Sequence, residues 1–84
     1  MAKVILYTTR TCPFCVRAKQ LLGNKSVAFE DIDVGNAPEQ RAELTARTGS
    51  RTVPQIFIND AFIGGCDELF ALERSGELDR LLQA

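Results

Sequence analysis

The chain has 84 residues, 45% of them hydrophobic and 25% charged, which is enough for one soluble domain spanning residues 1–84 with an economical core. Its formal net charge of −1, with no basic run, argues against a nucleic-acid binder, and the longest apolar run, Val4–Tyr7, is far too short to cross a bilayer. Three cysteines and no histidine argue against a secreted disulfide framework, and the missing histidine excludes Cys–His proteases, histidine acid–base catalysis and mixed Cys/His zinc sites. Lys3–Tyr7 (KVILY) reads as a short buried strand, followed by the polar connection Thr8–Thr11. Pro13 suits a first helical turn, and Cys15, Ala18, Leu21 and Leu22 form the apolar face of a helix that Gly23-Asn24 should end. Val27–Val34 alternates loosely and predicts a second strand. Asn36 is placed to cap a second helix, which has Pro38 and Glu39 in its first turn and stops at Gly49. Gln55–Ile58 and Ala61–Ile63 predict a hairpin around Asn59-Asp60, and Asp67–Ser75 and Leu78–Leu82 predict two closing helices separated by Gly76. The order β-α-β-α-β-β-α-α implies an α/β fold. Its first two strands should be parallel and its last two antiparallel, in a four-stranded mixed sheet with helices on both faces.

The chemistry concentrates in Cys12-Pro13-Phe14-Cys15, between a strand and a helix. Two cysteines so spaced can close a disulfide when the first sits at a helix N-terminus and the second one turn inside. There the free N–H groups and the positive end of the helix dipole stabilise a thiolate on Cys12, with Arg10 adding nearby positive charge. Cys15, on the apolar face, suits resolution of a mixed disulfide. The competing readings are two buried structural cysteines, or half a zinc site. Only Cys66 remains as a further thiol ligand, so a zinc shell would need carboxylates or a second chain, and no metal site is expected. Thr52-Val53-Pro54 taken alone is an edge or turn device. Gly64-Gly65-Cys66-Asp67 taken alone is a glycine turn with Asp67 as a helix cap. It also suits a ligand site, because two glycines admit a close backbone approach, a helix N-terminus accepts a carboxylate, and Asp67 can pair with an ammonium. That combination matches a free α-amino acid end such as the γ-glutamyl group of glutathione. Cys66 reads as a packed thiol beside the site.

Together, T-C-P-F-C at Thr11–Cys15, T-G-S-R-T-V-P-Q-I-F-I at Thr48–Ile58 and I-G-G-C-D at Ile63–Asp67 resemble the dithiol glutaredoxins over essentially the whole chain. The resemblance implies a thioredoxin-like fold and a cytoplasmic, monomeric oxidoreductase. Such a protein has no permanently bound cofactor, uses glutathione as reducing co-substrate, and acts on disulfide or glutathionylated client proteins, ribonucleotide reductase among the candidates. It implies that Cys12 attacks and becomes glutathionylated, and that Cys15 resolves protein disulfides. It further implies a cis Val53–Pro54 bond, with Val53 and the neighbouring Thr52 and Pro54 along the cysteinyl backbone of glutathione. Gly65, Cys66 and Asp67 would then hold the γ-glutamyl end, Arg41 would face the glycyl carboxylate, and Phe14 would supply the aromatic face between the cysteines. Two positions depart from the family pattern: Thr9 stands where a lysine is usual, with Arg10 following, and Phe14 stands where a tyrosine is common. Both bear on glutathione affinity more than on reaction type. The implied poise is about −200 to −230 mV. The rival readings are a glutaredoxin-shaped protein reduced by thioredoxin reductase and, from a different class, a glutathione-ligated iron–sulfur carrier.

Overall fold

A computed structural model describes residues 2–83; Met1 and Ala84, the ends of the predicted domain, lie outside them. The elements are β1 (Val4–Thr8), α1 (Pro13–Asn24), β2 (Glu30–Asp33), α2 (Pro38–Thr48), β3 (Gln55–Ile58), β4 (Ala61–Gly64), α3 (Cys66–Ser75) and α4 (Glu77–Gln83). The sheet order is β2-β1-β3-β4; β1 and β2 are parallel, and the other two pairings are antiparallel. This is the thioredoxin-like α/β arrangement that the element order implies.

Alternation along β1 and β3 builds two cores, because successive side chains on a strand point to opposite faces. Val4, Leu6, Ile56 and Ile58 pack on one face with Ala18 and Leu22 of α1, Leu69 of α3 and Leu78 of α4. On the other face Phe57 packs with Val34 and with Leu44 of α2, and Ile5, Tyr7 and Val53 lie against them. All four residues of β3 are buried, since this strand is interior to the sheet and lies between the two cores.

Several boundaries differ from the sequence expectation by one residue, β1 running Val4–Thr8 rather than Lys3–Tyr7 among them, and four differences have a structural reason. Gly23-Asn24 lies inside α1, and the chain turns only at Ser26, which takes φ 59°. The Lys25 ammonium anchors this end by ion pairs of 2.7 Å to Glu73 and 2.7 Å to Asp79. The second strand is Glu30–Asp33 rather than Val27–Val34, because its partner β1 offers only the register Ile5↔Glu30 to Thr8↔Asp33. Val27 and Phe29 instead pack against the α1, α3 and α4 core before the strand begins. Asn36 does not cap α2. The cap position is Ala37, which makes no side-chain bond, with Pro38 in the first turn. Asp67 does not cap α3 either. Gly65 holds the cap position, and Asp67 sits in the first turn. The hairpin turn lies at Asn59-Asp60 as expected, with φ values of 52° and 67°, the left-handed pair that matches strand twist.

Candidate active site

The β1–α1 connection delivers Cys12 to the N-cap of α1 in an extended conformation (φ −95°, ψ 107°), with Pro13 opening the helix. The Cys12 sulfur accepts a hydrogen bond from the Cys15 backbone N–H at 3.1 Å, and its S–H points to the Val53 carbonyl at 3.5 Å. Cys12 is partly exposed, whereas Cys15 is fully buried. Burial pushes the Cys15 thiol up to about 12, the hydrogen bond with Cys12 adds to this, and the Thr9 backbone and the Lys19 cation oppose it. The two sulfurs are therefore inequivalent. One is reachable and has a backbone donor aimed at it; the other is a protonated thiol one turn inside the helix. All three cysteines are free thiols.

Val53 reaches Cys12 from the α2–β3 loop. The Val53–Pro54 bond is cis, as the resemblance implies. This loop is fastened by a residue that is not among the sequence candidates. Gln55 is 3% exposed; its amide donates to the Ser50 carbonyl at 2.8 Å and the Thr52 carbonyl at 3.2 Å, and its oxygen accepts from the Thr48 hydroxyl at 3.1 Å. A buried amide with every such bond made orders the backbone around it. A glutamine in a run of apolar strand residues is the signal in the sequence, where Gln55 stands both as a strand position and as part of the Thr48–Ile58 motif.

Across from this loop runs the β4–α3 corner. Gly64 adopts φ 127°, which disfavours any side chain, and a Cβ on Gly65 would lie 3.3 Å from the Pro54 carbonyl. The two glycines thus let the start of α3 approach the cis-proline loop. The Glu68 carboxylate folds back onto the Gly65 N–H at 2.7 Å and ties down the corner. Its place three residues after the cap was the missed signal. Phe14, Thr52, Val53, Pro54, Gly65, Cys66, Asp67 and Glu68 together line a cleft of about 310 Å³. Seven of these eight are sequence candidates, and Glu68 is the addition. Phe14 is 52% exposed, so its ring is an open wall. Cys66 is buried, and burial pushes its thiol up; the Arg17 cation opposes this only in part.

Two candidates fall elsewhere. Arg10 is 88% exposed, and its nearest ionic partner is Asp33 at 3.6 Å. It lines a separate hollow of about 300 Å³ with Thr9, Thr11, Asp33, Gly35, Asn36 and Arg41. Arg41 donates to the Arg51 carbonyl at 3.2 Å. Among the described residues no group of three or more cysteine or carboxylate side chains is placed to hold a metal ion, and no helix is long and apolar enough to cross a membrane.

A partly exposed thiol at a helix start, a buried thiol one turn on, and a cleft beside them with backbone groups on two walls can carry out disulfide exchange with a peptide-like thiol. Comparison with known proteins agrees with this chemistry. The family model described as Glutaredoxin matches residues 4–63. A glutaredoxin of Pseudomonas aeruginosa is 56% identical over 84 residues, covering all of both chains. Glutaredoxin 3 of Escherichia coli K12 is 49% identical over 83 residues, covering 99% of this chain and 100% of that one. Among solved structures, a buckwheat glutaredoxin–glutathione complex superposes with a TM-score of 0.93 at 29% identity, covering 98% of this chain and 77% of that chain.

Proposed function

The chain belongs to the glutaredoxin family of thiol–disulfide oxidoreductases, and on that premise we propose that glutathione is its electron source, Cys12 its attacking thiol and Cys15 its resolving thiol. The observation that carries this reading is the Cys12 sulfur, set between the Cys15 N–H at 3.1 Å and the Val53 carbonyl at 3.5 Å, with Val53 and Phe14 themselves lining a peptide-sized cleft. Val53 offers its backbone to the cysteinyl unit of glutathione as an added strand would, with Thr52 and Pro54 flanking it. Cys66 and the start of α3 present N–H groups to the γ-glutamyl carboxylate, Gly65 leaves room for its close approach, Asp67 takes the ammonium, and Phe14 covers the disulfide side. Arg41, with Arg10 in the same hollow, takes the glycyl carboxylate.

In the reaction, the Cys12 thiolate attacks the glutathionyl sulfur of a mixed disulfide. The Cys12–glutathione bond forms, the old S–S bond breaks, and the client leaves as a thiolate that takes up a proton. A second glutathione thiolate then attacks the adduct, releasing glutathione disulfide and regenerating Cys12. With a protein disulfide, Cys12 attacks one client sulfur and the other leaves as a thiolate; Cys15, giving up its proton, then attacks the Cys12 sulfur, closing the Cys12–Cys15 disulfide and releasing the first client sulfur. The buried, protonated state of Cys15 supports the division of labour, since it keeps the resolving thiol silent until a disulfide stands beside it. The free thiols fit a reducing cytoplasm, and we place the protein there as a single-domain monomer with disulfide or glutathionylated proteins as clients.

The test is turnover of a small glutathione mixed disulfide with glutathione, glutathione reductase and NADPH. Wild type and Cys15→Ser should be active there and Cys12→Ser inactive, and Cys15→Ser should fail on protein disulfides. A wild type inactive in this system but turned over by thioredoxin reductase would overturn the glutathione assignment while keeping Cys12. A brown colour after anaerobic purification would favour the iron–sulfur carrier.

A further inference from the structure

The cleft is not the whole of the reactive face. Cys66 and Asp67 form a wall shared with a further hollow of about 190 Å³, whose other lining residues are Arg17 of α1 and Phe70 and Arg74 of α3. The Arg17 guanidinium lies 5.6 Å from the centroid of the Phe70 ring, a cation–π contact that fixes its position. Arg74 sits one turn beyond Phe70 on α3, on the same helix face. Among the described residues neither guanidinium is within 4.0 Å of a carboxylate, which is also true of Lys3, Arg41, Arg47 and Arg51; Arg17 and Arg74 differ in lining one hollow together. Among the described residues three large hydrophobic side chains remain exposed, and two of them, Phe14 and Val16, lie on the first turn of α1 beside Cys12 and Arg17. An apolar rim next to two unpartnered guanidinium groups is the composition of a recognition surface.

We propose that the hollow between α1 and α3 formed by Arg17, Phe70 and Arg74 is a subsite for an acidic side chain of the client protein, near the client cysteine that leaves when Cys12 attacks the glutathionyl sulfur. The proposal rests on the glutathione reading and deepens it. Asp67 is the one carboxylate lining the hollow, and in that reading it pairs with the γ-glutamyl ammonium. The γ-glutamyl end is a zwitterion and brings no net charge, so the hollow keeps two guanidinium groups against the single carboxylate of Asp67 when a client docks. Glutathione's own carboxylates are used at the start of α3 and at Arg41, so the hollow is left to the other half of the mixed disulfide. Arg17 and Arg74 are exposed, and replacing them leaves both cores untouched.

The test compares glutathionylated peptides that differ only in carrying glutamate or glutamine on either side of the cysteine, alongside a small uncharged glutathione mixed disulfide. Wild type should prefer the glutamate peptides by about three- to tenfold in kcat/KM at low ionic strength, and the preference should fade as salt is raised. Arg17→Gln/Arg74→Gln should lose the preference and keep turnover of the small disulfide, which has no group that reaches the hollow. Equal wild-type rates on both peptides, with the small disulfide turned over, would overturn the subsite alone. A double variant impaired equally on every substrate would overturn it too, by assigning the hollow to glutathione. No turnover of the small disulfide would overturn the glutathione reading and the subsite with it.

Discussion

At Cys15 the proton is the quantity that matters. Its thiol is pushed up from an ordinary 9.0 to about 12 by burial and by the bond with Cys12. Below pH 9 both folded and unfolded chains keep this proton, so the contribution to stability is complete. Above pH 9 the unfolded chain releases it first, and stability falls as pH rises toward the folded value, by at most about 1.4 kcal/mol per pH unit for one group. Cys66 shifts in the same direction, again chiefly through burial. Urea midpoints of the fully reduced protein between pH 7.5 and 10 should therefore decline, and the decline should be shallower in Cys15→Ala. Parallel pH slopes for the two proteins would show that Cys15 does not titrate in this way.

At the scale of the element, the start of α3 depends on two neighbouring glycines and one carboxylate. A Cβ on Gly64 would meet the Glu68 side chain at 2.7 Å, and φ 127° is strained for any side chain. Displacing Glu68 would also remove the partner of the Gly65 N–H. Gly64→Ala should cost about 1–3 kcal/mol and raise KM for glutathione mixed disulfides, because the corner it distorts is a wall of the cleft. Gly23 is the control. It lies in α1 with open space around an added Cβ, so Gly23→Ala should stabilise by about 0.5–1 kcal/mol and leave KM alone. Denaturant midpoints and steady-state kinetics on the two variants check both signs, and a shift of the same sign in both would contradict this account of Gly64.

Across the whole molecule, the cleft is assembled from parts distant in sequence, and the face bearing α1, α3 and α4 must stay in register for its walls to meet. Leu22, Leu69 and Leu78, one from each helix, are fully buried in that core. At the end of α1 remote from Cys12, Lys25 bridges Glu73 of α3 and Asp79 of α4, and these hydrogen bonds raise its pKa. Lys25→Met should lower Tm by a few degrees while leaving kcat on small mixed disulfides unchanged, since no group at the cleft is altered. High salt should narrow the gap between variant and wild type. A loss of kcat without a loss of Tm would mean that this bridge acts on the site rather than on the packing.

The sequence by itself determined the order of elements and the position of the dithiol motif, because both are written in short-range terms. Alternation marked the strands, the spacing of Cys15, Ala18 and Leu22 marked the helix face, Asn59-Asp60 marked the hairpin, and Pro13 after Cys12 marked a helix start. Periodicity does not say what reaches the Cys12 sulfur; the family resemblance alone points to Val53 there, and the contact itself belongs to the tertiary structure. The Val53 carbonyl comes from 41 residues away, held by hydrogen bonds of the buried Gln55 amide whose partners no periodicity names. Likewise Arg10, one step from Thr11 in sequence, turns to Asp33 at the end of β2 and shares its hollow with Arg41, because β2 lies beside β1 in the sheet. Glu68 rather than Asp67 holds the corner of α3, because the choice between two adjacent carboxylates depends on which one can fold back over Gly64. Local spacing records which residues share a face; which faces meet is settled by burial of both sides of the sheet at once, a property of the folded whole.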